Sequence, residues 1–142
     1  MIPKKEYKLE KGQSMVELAL TFTLLLMLLM GVIDLGRAFF TFSAMRDAAQ
    51  EGAVYGSLYP GDLDAIIARV RASSQTPVDM TDTAIRIEPS IIGVPCHGNG
   101  IRIDVYYDAF PLLFPFWQPL FGFDTVPIHA RVEDTILRPP CQ

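Results

Sequence analysis

A carboxylate stands at the entrance of a membrane-length apolar run, and few arrangements tolerate it. Gly12-Gln13-Ser14-Met15-Val16-Glu17 is followed by sixteen uncharged residues, Leu18 to Ile33. A charge inside a bilayer costs about 2.5 kcal/mol or more, so a carboxylate placed there needs a partner and usually has a task. Cutting the chain after Gly12 supplies the partner. Gln13 becomes the N-terminus, and its amine then lies one helical turn from Glu17.

The residues before Gly12 agree. Lys4, Lys5, Lys8 and Lys11 stand against Glu6 and Glu10. Basic residues flanking a span stay in the cytoplasm. Residues 1–12 are therefore expected inside as a leader, and everything beyond about Leu35 outside. A secretory signal peptide is the competing reading. It would carry a small-x-small cleavage site after the apolar run. The run is followed instead by Asp34-Leu35-Gly36-Arg37-Ala38-Phe39-Phe40, which fits poorly. Cleavage between Gly12 and Gln13, before the hydrophobic segment, is the expectation.

At 142 residues the chain holds one membrane helix and one small domain. The net charge is -4, with no basic block outside the leader, so nothing points to nucleic acid. No proline interrupts Gln13 to Gly56, and apolar or small residues recur at helical spacing through Leu35, Phe39, Phe42, Met45 and Ala49. A helix over residues 13–58 follows. Its stretch from Gln13 to Gly56, 44 residues or about 66 Å, is twice the hydrocarbon thickness, so its outer half projects outward. Asp34 and Arg37, three apart, are placed to pair on its surface. Gly52 and Gly56 have small-xxx-small spacing, which serves either a partner helix or the chain's own domain.

An exterior α+β domain is expected over residues 59–142. Asp62 caps a second helix with an apolar stripe of Leu63, Ile66, Ile67 and Val70. Residues 73–83 are polar, carry Pro77 and read as a linker. The period then changes to two. Ile85 and Ile87, then Ile101 to Tyr107, then Val126 to Val132 each alternate with polar residues, giving three half-buried strands. Their order suggests an antiparallel meander, with Pro127 at an edge or a strand start. Residues 89–100 read as a loop.

By this point the pattern resembles a known family. Gly12 to Glu17, the leucine-rich span, Gly31-Val32-Ile33-Asp34-Leu35-Gly36-Arg37, and Ala48-Ala49-Gln50-Glu51-Gly52-Ala53-Val54-Tyr55-Gly56 look like the TadE-like pseudopilins of tight-adherence pilus systems. The resemblance covers Gly12 to Gly56 and implies a pilin-like fold. It implies cleavage by a membrane prepilin peptidase and retention in the cytoplasmic membrane. It also implies work alongside other pilins or pseudopilins and the pilus assembly machinery, with or without entry into the filament. Leu18 departs from the pattern, since many such proteins carry phenylalanine beside the glutamate. Glu17 is read as an assembly residue, pairing with the Gln13 amine of its own or a neighbouring chain.

No catalytic constellation is present: no Gly-x-Ser-x-Gly, no P-loop, no His-Glu-x-x-His. The reading is non-enzymatic and needs no cofactor. Asp104 and Asp108 read as solvated charges on a strand's polar face. Cys96, His97, His129 and Cys141 match no common zinc spacing. A disulfide is expected instead. If strands two and three are antiparallel neighbours, Cys96 before the second lies beside Cys141 after the third, in an oxidising exterior.

Pro111 to Phe123 carries no charge, and its prolines forbid a continuous helix. Phe114, Phe116, Trp117, Phe121 and Phe123 are more apolar than a solvated loop. The segment covers the sheet or the first helix, or docks a partner through Trp117 and Phe121, or rests at the membrane interface. Two functional readings stand: a pseudopilin, or a single-pass exterior binding or sensor domain whose helix is only a tether. Gly12 with Glu17 separates them, because a tether needs neither.

Overall fold

A proline-free run rich in leucine, alanine and methionine continues one helix as far as side-chain propensity allows. In the computed structural model, α1 runs from Glu10 to Leu58, 49 residues or about 74 Å. The structure describes residues 10–74, 76 and 78–141. Lys4, Lys5 and Lys8, read above as part of a leader, lie outside them, as does Pro77. Thr21 and Thr23 sit in the apolar run, where an unbonded hydroxyl would be costly. Each donates its hydroxyl to the carbonyl four residues back, those of Glu17 and Ala19, both at 2.8 Å.

The helix divides by its surroundings. From Gly12 to Ile33 every side chain is exposed except the half-buried Met27 and Gly31. This stretch is long and apolar enough to cross a membrane. Burial begins at Asp34 and continues through Thr41, Met45, Ala48, Ala49 and Ala53, the face that receives the rest of the chain.

Pro60 stops α1, and Asp62 starts α2 (Leu63–Ala72) by accepting the Ala65 amide at 3.0 Å. Ile66 and Val70 turn inward against the small residues of α1. A Cβ on Gly52 would lie 2.3 Å from Val70, and one on Gly56 would lie 2.4 Å from Ile101. The small-residue helix end therefore seats α1 against its own domain.

Three strands follow: β1 (Ile85–Ile92), β2 (Gly100–Pro111) and β3 (Thr125–Thr135). They form an antiparallel meander in the order β1-β2-β3. Ile87 pairs with Val105, and Val105 with Ala130. This row, with Ile101 and Ile103, packs in one core with Met45, Ala49, Ala53 and Ile66. The α+β architecture is the one expected. A register irregularity between Tyr107 and Phe110 bends the end of β2.

Two local expectations are corrected, and one short element is added. β1 does not stop at Glu88 but runs through Pro89 to Ile92, because it is an edge strand and one missing amide there breaks no inner ladder. The polar 73–83 segment is more than a linker: Met80 is fully buried in the core, its carbonyl held by Arg71 at 2.9 Å. The uncharged segment contains one short helix, α3 (Trp117–Phe121). Pro119 fits in its first turn, where no amide donor is needed.

Candidate functional site

Two regions carry the residues of interest, and α1 positions both. At its start, Gly12, Gln13 and Glu17 are exposed on a continuous helix. Four residues separate Gln13 from Glu17, so the two share a face. Among the described residues a Cβ at Gly12 would meet nothing within 4 Å, so packing against them does not call for glycine there.

The second region lies where the exposed run ends. Asp34 is 2 % exposed, at the point where the uncharged segment before β3 crosses α1. Its carboxylate accepts the Leu113 amide at 2.8 Å, the Phe114 amide at 3.1 Å and the Trp117 indole N–H at 2.9 Å. One side chain thus ties three donors of a loop about eighty residues away. The expected Asp34–Arg37 pair exists, but at 3.4 Å, and the same guanidinium nitrogen lies 3.4 Å from the Pro111 carbonyl. Arg37 also sits over the Phe110 ring, 5.1 Å from its centroid. It braces the loop's approach while Asp34 holds the loop itself.

The aromatic side chains then divide. Phe114 is buried and meets Trp117 edge-on at 5.4 Å. Trp117 is half-buried above Gly31, stacks on Phe123 at 5.9 Å and touches Phe121 at 5.3 Å. Leu113, Phe116, Leu120 and Phe121 face outward, with Phe121 61 % exposed. Of the two residues read as docking anchors, Trp117 faces α1 and Phe121 faces out. Between loop and helix runs an apolar groove lined by Leu28, Gly31, Val32, Leu35, Trp117 and Phe123.

Sequence reasoning missed the role of Asp34. Two signals were available: a carboxylate at the end of an apolar span, and a tryptophan in an uncharged segment whose indole N–H must find an acceptor.

The outer face of the sheet corrects the reading of Asp104 as a solvated charge. It is buried, 2.7 Å from both Arg131 Nε and His129 Nε2. Burial pushes its carboxyl up, but the bonds from Arg131 and His129 outweigh burial and hold it below its ordinary value. The ring of His129 stacks on that of Tyr106 with centroids 4.4 Å apart, and the Arg86 guanidinium carbon lies 4.4 Å from the Tyr106 ring centroid. Arg102 adds a 2.7 Å bond to Glu133. These are cross-strand rows, Arg86–Tyr106–His129 and Glu88–Asp104–Arg131, that brace the sheet.

Cys96 and Cys141 are joined by a disulfide, with Cα atoms 5.1 Å apart. It fastens the chain end to the β1–β2 loop, where His97 N–H also bonds the Pro139 carbonyl at 2.7 Å. Among the described residues no cluster of His, Cys, Asp or Glu could hold a metal ion.

Comparison with known proteins agrees with the helix. The family model described as TadE-like protein matches residues 12–54. That bears out the resemblance over most of α1. No curated protein and no solved structure gives a significant match.

Proposed function

We propose that this chain, TadE-like over residues 12–54, is a non-enzymatic pseudopilin of a tight-adherence pilus system. α1 anchors it in the cytoplasmic membrane, with the leader inside and the α+β domain outside. A prepilin peptidase removes residues 1–12. The mature chain then works with other pilins or pseudopilins and the assembly machinery, in the membrane or in the filament.

The observation that carries this reading is the contrast along α1. Its first half is a bare apolar rod preceded by Gly12 and Glu17, and its second half is the spine of a folded domain. A plain tether would explain a bare apolar rod. It would not explain a glycine at residue 12 that packs against none of the described residues, or a carboxylate at residue 17. Uniform apolar packing between membrane helices sets little axial register, and one ion pair between Glu17 and a new Gln13 amine supplies it.

The test is Glu17→Ala in the native host. The variant inserts as well as or better than the parent, because a charge is removed from the span. It fails to co-purify with pilus components. Normal pilus assembly and normal co-purification would reject the assembly role of Glu17 and leave the tether reading in its place.

A further inference from the structure

We propose that the Leu112–Phe123 loop is an interfacial foot, which rests in the outer leaflet of the bilayer crossed by α1 and is held at that depth by Asp34. The inference rests on the reading of α1 as a membrane span with its domain outside. It assigns a site and an occupant, phospholipid, that this reading does not require.

The argument begins with position. Trp117 lies 3.9 Å from where a Cβ on Gly31 would be, and Asp34 receives three of the loop's donors. Both contacts fall at the end of the uncharged run Leu18–Ile33. On a helix, Gly31 and Asp34 are separated by only about 4.5 Å along the axis. The medium around Leu28 and Val32 therefore also surrounds the loop. Those two residues are exposed in the chain and belong to the membrane-length stretch.

Chemistry points the same way. Residues 109–123 contain no charged side chain. Leu113, Phe116, Leu120 and Phe121 are 58, 54, 56 and 61 % exposed and cover the side of the loop turned away from the helix. In water such a surface would be costly. At the acyl–headgroup boundary it is favoured, and aromatic rings concentrate there. Several of the donors that would oppose immersion are already bonded. The Leu113 and Phe114 amides and the indole N–H go to Asp34, the Leu112 amide goes to the Asp124 carbonyl at 2.9 Å, and the Gly122 amide to Gln118 at 2.9 Å. The groove between loop and helix, lined by Leu28, Val32, Leu35 and Phe123, suits an acyl chain. Asp34 thus lets a non-helical segment lie at membrane depth by bonding its free donors.

Trp117 is the chain's only tryptophan and reports on the loop directly. The full chain is reconstituted at low protein density in phosphatidylcholine–phosphatidylglycerol vesicles. Flotation reports anchoring, and Trp117 emission is read with acyl-brominated lipids and with aqueous iodide. The proposal expects strong quenching by bromines placed near the glycerol end, weaker quenching by deep bromines, and iodide quenching several-fold below that of a water-exposed tryptophan. The double variant Leu120→Ser, Phe121→Ser should raise iodide quenching several-fold while the domain keeps its cooperative melting. Protein that floats yet shows iodide-accessible, bromine-insensitive Trp117 overturns the foot and leaves anchoring intact. Shielding that grows with protein density at fixed lipid assigns the surface to a second copy and overturns it too. Loss of cooperative melting in the double variant makes these residues core and rejects it. Failure to float overturns the anchoring reading and the foot together.

Discussion

Asp34→Ala removes a single carboxylate that accepts three hydrogen bonds, from the amides of Leu113 and Phe114 and from the Trp117 indole. A bond to a charged group contributes about 1.5–3 kcal/mol net. Three such bonds do not add fully, because donors released at an interface recover some water. A loss of about 3 kcal/mol in the closure of the loop is a conservative figure. The loss is local, since the main core of Met45, Ala49, Ile66, Ile101, Ile103 and Val105 takes its first buried residue of α1 at Met45, eleven residues past Asp34. At about 1.4 kcal/mol per tenfold, the loop's opening equilibrium rises roughly 100-fold. Amide hydrogen exchange in micelles reads this directly: Leu113 and Phe114 should exchange roughly 100-fold faster, with β2 amides such as Val105 unchanged. Asp34→Asn keeps one acceptor oxygen and turns the other position into a donor that faces donors, so it should fall between parent and alanine variant. Unchanged exchange at Leu113 and Phe114 would refute the latch. Loss of protection across β2 as well would show that Asp34 holds the whole domain rather than the loop.

Further outcomes follow from the packing and the charges. Replacing both Cys96 and Cys141 by serine opens a link with a sequence separation of 45, and in the chain-entropy model lowers stability by up to about 4 kcal/mol; thermal melting with and without reductant checks it. Gly52→Ala should lower the melting temperature although alanine is the better helix former, because its Cβ would meet Val70 at 2.3 Å and overpacking costs about 1–3 kcal/mol against about 1 kcal/mol of propensity gained. Asp104 is held below its ordinary value in the folded chain, so the unfolded state takes up its proton first as pH falls. Its contribution is therefore complete above about pH 5 and is lost as pH drops through the folded value. Asp104→Asn should flatten the acid limb of stability against pH, and an unchanged limb would count against the buried pair.

The long helix, the capped second helix and the three strands were legible because each rests on local pattern: no proline from Gln13 to Gly56, Asp62 ahead of an apolar stripe, and period-two alternation from Ile101 to Tyr107. What escaped depended on register or on contacts across many residues. Pro89 looked like a stop until β1 proved to be an edge. Asp104 looked solvated because nothing in its own strand shows that Arg131 and His129 stand opposite it. Asp34 offered a nearby cation, Arg37, and that local answer hid the loop donors far along the chain. The aromatic segment was visible as unusual, and only the fold shows that half of it turns toward α1 and half away.

The mature N-terminus, read by mass spectrometry on protein taken from the membrane fraction of its native host, tests the central claim most directly. The account predicts that the first residue is Gln13, with Glu17 in fifth place and the apolar run intact. A chain that still begins at Met1, or one that begins after Ile33, would contradict it.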